Sequence, residues 1–130
     1  MSIYEYVGCF FDCEELFSAV SHLRREPLKN EKKKPHVTFL YAPSEVDTSL
    51  FGTEIEATVT GYGNDGENEG LLVTLSCREP RLAKDIEKIA VPHITLAVSD
   101  SGQAVNTKRL SFSPVAPVKI TGHYGGHIDN

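Results

Sequence analysis

Two hexapeptides, "PHVTFL" at residues 35–40 and "PHITLA" at 92–97, repeat one pattern of proline, histidine, aliphatic residue, threonine and apolar residue. His36 and Thr38 in the first, and His93 and Thr95 in the second, stand two positions apart, so each pair shares one face of an extended strand. Imidazole is the side chain whose ordinary pKa lets one copy accept a proton near neutrality while another donates one. A threonine hydroxyl can donate to an anionic oxygen on which negative charge accumulates during reaction. Two of each, converging, make a set for acid–base work at an anionic centre such as a phosphodiester, with no metal required. A lone His-x-Thr is ordinary, because threonine suits strands and a histidine packs readily on a polar sheet face. Agreement of the flanks in two copies points instead to one shared site.

Strands must present these residues. Residues 36–41 are too few and too β-branched for a helix, and alternation places Val37, Phe39 and Tyr41 on one side and His36, Thr38 and Leu40 on the other. In 93–98 the same split gives Ile94, Leu96 and Val98 against His93, Thr95 and Ala97. A first strand is expected over 3–11. It leads into a helix started by Asp12 with Glu15, carrying Leu16, Phe17, Val20 and Leu23, and ended by Pro27. Strands over 54–60 and 70–77, joined by "GNDGENEG", predict an antiparallel pair, with Gly61 and Gly63 marking the bend into the turn. Pro80 opens a second helix with a Leu82, Ala83, Ile86 and Ile89 stripe, closed by Pro92. A last strand is expected over 118–122, after a loop or edge strand holding Pro114 and Pro117, and the tail from His123 reads as irregular.

The chain has 130 residues, 40% hydrophobic and 24% charged, which suits one domain over 1–130 with a core of ordinary size. Its net charge of −5 argues against coating long nucleic acid, where affinity comes from a basic face. One dense basic cluster, Lys29, Lys32, Lys33 and Lys34, runs into the first motif and supplies a local positive field for a small or terminal phosphate. No apolar stretch is long enough to cross a bilayer, and the N-terminal segment lacks a basic leader region, so a cytoplasmic monomer is expected. Cys9, Cys13 and Cys77 lack metal-type spacing and read as reduced thiols, most of them buried.

The repeat extends beyond the hexapeptides. "EATVTGYG" at 56–63 follows the first motif as "PVKITGHYG" at 117–125 follows the second, and a strand and a helix precede each. The expected architecture is therefore α+β, with pseudo-duplicated, two-lobed antiparallel sheets and outer helices around a central cleft, the halves being roughly 1–65 and 66–130. His36-Val37-Thr38-Phe39 and His93-Ile94-Thr95-Leu96 in this layout resemble the two-histidine (2H) phosphoesterase superfamily, defined by two H-x-[ST]-hydrophobic motifs. The stretch "PHITLAVSDSGQAV…LSFSPVAPVKITG" is similar to the cyclic phosphodiesterase domain of plant-type tRNA ligases. The spacing of 57 positions from one histidine to the other (93 − 36) marks a trimmed member.

The resemblance implies metal-independent, cofactor-free hydrolysis of a 2′,3′-cyclic phosphate on an RNA end or nucleotide, usually yielding a 2′-phosphate. His36 and His93 would be the acid–base pair, interchangeable at this stage, and Thr38 and Thr95 the phosphate binders. Two other readings stay open: a phosphodiesterase that degrades a 2′–5′ or cyclic oligonucleotide signal, and a non-catalytic module binding a nucleotide or RNA end. Lys34, Tyr41 and Tyr124 are further substrate-binding candidates, the tyrosines by stacking on a base, as is Tyr62. His123 and His127 are spaced as in some metal sites but lack acidic or thiolate partners, so no metal is expected there.

Overall fold

The computed structural model describes residues 3–128. It is an α+β fold in which all seven strands pair antiparallel in one sheet. In chain order these are β1 (Tyr6–Phe10), β2 (Asn30–Glu31), β3 (His36–Tyr41), β4 (Glu54–Asn64), β5 (Asn68–Ser76), β6 (His93–Val98) and β7 (Ser113–His127). Their lateral order is β2-β6-β5-β4-β7-β1-β3. The strands thus form one continuous sheet instead of two. Four strands lie between β6 and β3, yet these two are in contact, so the sheet curls until the motif strands face each other. The segment after β2 continues its pairing with β6, since Lys32 N donates to Leu96 O at 2.8 Å.

Helices α1 (Cys13–Val20) and α2 (Pro80–Glu87) cover the other face of the sheet. Asp12 caps α1 by accepting from Glu15 N at 2.9 Å, and Leu16 and Val20 lie fully buried against Val7, Cys9, Val37 and Ile55 in one core. Pro80 occupies the first turn of α2, whose Leu82 joins the same core. The first helix stops well short of Pro27. A 3-10 turn over Ser21–Leu23 follows it, and Arg24 then extends to form a bidentate pair with the fully buried Glu69 at 2.8 and 2.6 Å. Burial alone would raise the Glu69 pKa, but Arg24, the Tyr62 hydroxyl and Leu28 N together hold it below the usual carboxylate range. Tertiary hydrogen bonds, not proline, end this helix.

Other boundaries also move. β4 continues through Gly61 and Gly63, after a register shift between Val59 and Gly61 against both β5 and β7, and Leu110 and Phe112 pack so closely there that added Cβ atoms would sit 3.1 Å from their Cβ atoms. The expected irregular tail is instead the far half of β7, pairing with β1 from His123 to His127. Pro114 and Pro117 lie in the near half, which has β4 on one side only, so their missing N–H groups cost little. The lysine-rich loop contains the two-residue strand β2.

The register repeats itself around the two motifs. Between β1 and β3, Val7 faces Leu40 but Gly8 faces Thr38, leaving Phe39 as an extra, bulged residue. Between β5 and β6, Glu69 faces Ala97 but Gly70 faces Thr95, leaving Leu96 extra. Each bulge falls three residues after its histidine (39 − 36 and 96 − 93). A glycine stands opposite each threonine for a steric reason. A Cβ at Gly8 would meet Val37 O at 2.0 Å, and one at Gly70 would meet Ile94 O at 2.8 Å. The carbonyls before the histidines match too: Phe11 N donates to Pro35 O and Val73 N to Pro92 O, both at 3.1 Å.

Candidate active site

Strand alternation on the inner face of the curled sheet sends His36 and Thr38 from β3, and His93 and Thr95 from β6, into one cavity of about 410 Å³. Lys34 and Tyr41 line it as well. Tyr41 is on this side because the bulge at Phe39 shifts the alternation by one, which corrects its expected place beside Val37 and Phe39. It is 67% exposed, and its ring meets Tyr6 edge-on at 6.1 Å. Tyr124 lies elsewhere: it is buried in the core, with its ring against Phe39 and Phe51. Tyr62 is also buried, with its hydroxyl donating to Glu69.

The two histidines are held alike. His36 Nδ1 lies 2.9 Å from Lys34 O and His93 Nδ1 lies 2.7 Å from Val91 O, each carbonyl belonging to the residue two before. A carbonyl only accepts, so Nδ1 carries the proton and Nε2 is the nitrogen offered to a substrate. Burial pushes the His36 imidazole below the ordinary histidine range. The Lys34 carbonyl works against this, while His127, His93 and Lys32 add to the depression. This favours the neutral ring near neutrality.

The lining includes residues that the sequence pattern alone did not single out. Tyr6, on the strand between β3 and β7, stacks on His36 at 4.5 Å and on His127 at 5.0 Å, with 17° between the planes in each case. Phe10 packs obliquely on His36 at 5.3 Å. These contacts fix the His36 ring. Their signal was present in "YVGCF", whose Tyr6, Gly8 and Phe10 alternate with the core residues Val7 and Cys9. His127 reaches the cavity because β7 continues through the tail, and its Nε2 is 3.8 Å from a Glu5 carboxylate oxygen. Of the basic cluster, Lys32 and Lys34 line the cavity, while Lys29 pairs with Asp100 outside it.

Around Thr95 the structure adds two buried polar residues, Asn68 (2% exposed) and Thr107 (0%), the latter in a 3-10 helix over Ala104–Arg109. Among the described residues, no group of three or more His, Cys, Asp and Glu side chains is placed to hold a metal ion, and no helix is long and apolar enough to cross a membrane. Cys9, Cys13 and Cys77 are free thiols, and burial followed by the nearby Cys77 pushes Cys9 up to about 12.

A scan against protein-family models matches no family, and a search of curated proteins finds no match.

Proposed function

We propose that the chain is a metal-independent phosphodiesterase of the 2H type, opening 2′,3′-cyclic phosphates on RNA ends or nucleotides. The observation that carries this reading is the convergence on one cavity of two equivalently tethered histidines and two threonines from strands 57 residues apart. His36 Nε2 takes a proton from water as its oxygen attacks phosphorus. The bond from phosphorus to one ribose oxygen breaks, and that oxygen receives a proton from the His93 imidazolium. A phosphate monoester results, and exchange of one proton with solvent resets the pair. Thr38 and Thr95 donate to the non-bridging oxygens as charge builds on them. Lys32 and Lys34 give the cleft a positive field that the net acidic surface lacks, and Tyr41 offers a face for a nucleobase.

Internal duplication belongs to the same proposal. Exchanging β1 with β5, β3 with β6 and β4 with β7 reverses the order β6-β5-β4-β7-β1-β3 onto itself. The matched bulges, glycines and histidine tethers support the two halves being copies of one unit.

The test is turnover of a panel of 2′,3′-cyclic nucleotides, cyclic-phosphate-ended oligonucleotides, 2′–5′ oligonucleotides and cyclic dinucleotides, with and without EDTA. Hydrolysis of the 2′,3′-cyclic substrates, unchanged by EDTA, is expected. Complete loss on chelation overturns the metal-free mechanism. Turnover confined to 2′–5′ or cyclic oligonucleotides moves the same residues to a signal-degrading role, and binding without turnover makes the domain a binding module.

A further inference from the structure

One acidic side chain lines a cavity otherwise furnished for an anion. Glu5 is the single carboxylate among the described lining residues, in the company of Lys32, Lys34 and the two motif histidines. A carboxylate there opposes phosphate binding, so its place needs a ligand group that it attracts. Its backbone is held by both neighbouring strands: Glu5 N donates to His127 O at 2.8 Å, and Ala42 N donates to Glu5 O at 2.7 Å. The side chain is less committed. It is half-exposed, and its ion-pair neighbour is His127, whose Nε2 stands 3.8 Å from Oε2, beyond hydrogen-bonding distance. Both oxygens are thus left as acceptors with no hydrogen bond among the described residues.

We propose that Glu5 is a specificity residue that reads guanine, so that the preferred substrate is a guanosine 2′,3′-cyclic phosphate. The inference rests on the phosphodiesterase reading and narrows its substrate. Register gives the spacing. Along β1, Phe10 faces His36, Gly8 faces Thr38, and Tyr6 faces Tyr41 on one side and His127 on the other. The Thr38 and Tyr6 rows are two residues of strand apart, about 7 Å, and Glu5 is the next residue along. A ribose with its glycosidic bond spans that interval, so a phosphate held at His36 and Thr38 leaves its base on the exposed Tyr41 ring with an edge toward Glu5. Guanine carries two adjacent donors on one edge, N1–H and the N2 amino group, and these match the two oxygens of a carboxylate. Adenine and cytosine set their amino group beside a ring-nitrogen acceptor, and uracil sets N3–H between two carbonyls. Each of the three therefore turns a lone pair toward the carboxylate.

Turnover of the four nucleoside 2′,3′-cyclic phosphates and of the inosine compound, by wild type and Glu5→Gln, tests this. Binding of guanosine and adenosine 2′-monophosphates, followed by His36 ring-proton shifts, is the second readout. Glu5→Gln keeps the size of the side chain at a half-exposed position, so folding is not at risk. Wild type should favour guanosine at least ~10-fold in kcat/KM over adenosine, cytidine and uridine, with inosine, which lacks the amino group, between. Glu5→Gln should lower guanosine turnover about 10-fold and leave the other three unchanged or raised, since a charge repelling phosphate has gone. An equal rise for all bases in Glu5→Gln, or equal turnover of all by wild type, overturns the proposal and leaves the phosphodiesterase reading intact. If no cyclic phosphate is turned over, tighter binding of the guanosine monophosphate that is levelled in Glu5→Gln keeps the guanine contact and removes the phosphodiesterase reading. Equal or absent binding of the two monophosphates in such a protein overturns both.

Discussion

His36 combines a tethered Nδ1, aromatic rings on its flanks and a depressed proton affinity, so the base role proposed for it depends on staying neutral where a free histidine begins to charge. Replacement of His36 or His93 by alanine removes one of two proton transfers and should lower kcat/KM at least ~10²-fold on a cyclic phosphate. Near-wild-type turnover by either variant removes that histidine from the pair. The direction of the His36 shift has a second consequence. Above the ordinary value of 6.5 its ring is neutral in both the folded and unfolded chain, and its contribution to stability is fully present. As pH falls from 6.5 toward the lower folded value, the unfolded chain gains a proton that the folded one resists, and this stability is lost. The ring protons of His36 should accordingly titrate with a midpoint below 6.5, and the acid limb of kcat/KM should follow that midpoint. A midpoint at or above 6.5 contradicts the assignment of His36 as the neutral base.

At the scale of elements, the geometry of the cleft depends on paired bulges, and those depend on glycine. Gly8→Ala places a methyl 2.0 Å from Val37 O, so β3 must shift away at the residue between His36 and Thr38. Overpacking of this kind costs about 1–3 kcal/mol, and denaturant unfolding should show it together with a fall in kcat/KM. Gly66→Ala is the contrast. Gly66 has φ +87 at the β4–β5 turn with open space around it, so the loss should be about 1–2 kcal/mol with turnover unchanged. An active, equally stable Gly8→Ala protein would show that the bulge is not needed. The motif strands, both helix starts and the β4–β5 hairpin were legible in the sequence because each depends on local pattern: alternation, an Asp cap, a proline at the first turn and a glycine-rich turn. The bulges were not, since Phe39 and Leu96 look like ordinary apolar strand positions until their partners' register is known. Strict alternation therefore put Tyr41 on the wrong face. The tail from His123 likewise carries weak strand propensity and owes its order to β1, and Arg24, not Pro27, governs where α1 gives way, through a partner 45 residues away.

Across the whole molecule, the sheet's curl brings β3 and β6 together and sets Lys32 and Lys34, with Glu5, at one opening of an acidic protein. The four convergent side chains were readable from the repeated hexapeptides, and Lys32, Lys34 and Tyr41 beside them from their nearness to the first motif, but the rest of the wall was not. Glu5, Tyr6 and His127 join them only through long-range pairing and closure. The charge distribution separates two classes of substrate. A protein that tracks an RNA backbone displaces one set of counterions per phosphate contacted, and the slope of log kcat/KM against log salt steepens by about −0.7 for each contact on a single strand. Here the cavity offers Lys32 and Lys34 within a molecule of net charge −5, so the proposed function predicts that one or two phosphates are held while the rest of a long strand is repelled. With a cyclic-phosphate-ended oligonucleotide the slope should be no steeper than about −2, and lengthening the strand beyond a few nucleotides should not change it. Lys32→Ala and Lys34→Ala should together flatten the slope by about one while leaving the EDTA response untouched. A slope near −5 that grows with strand length would show that a long nucleic acid, and not its terminus, is the ligand.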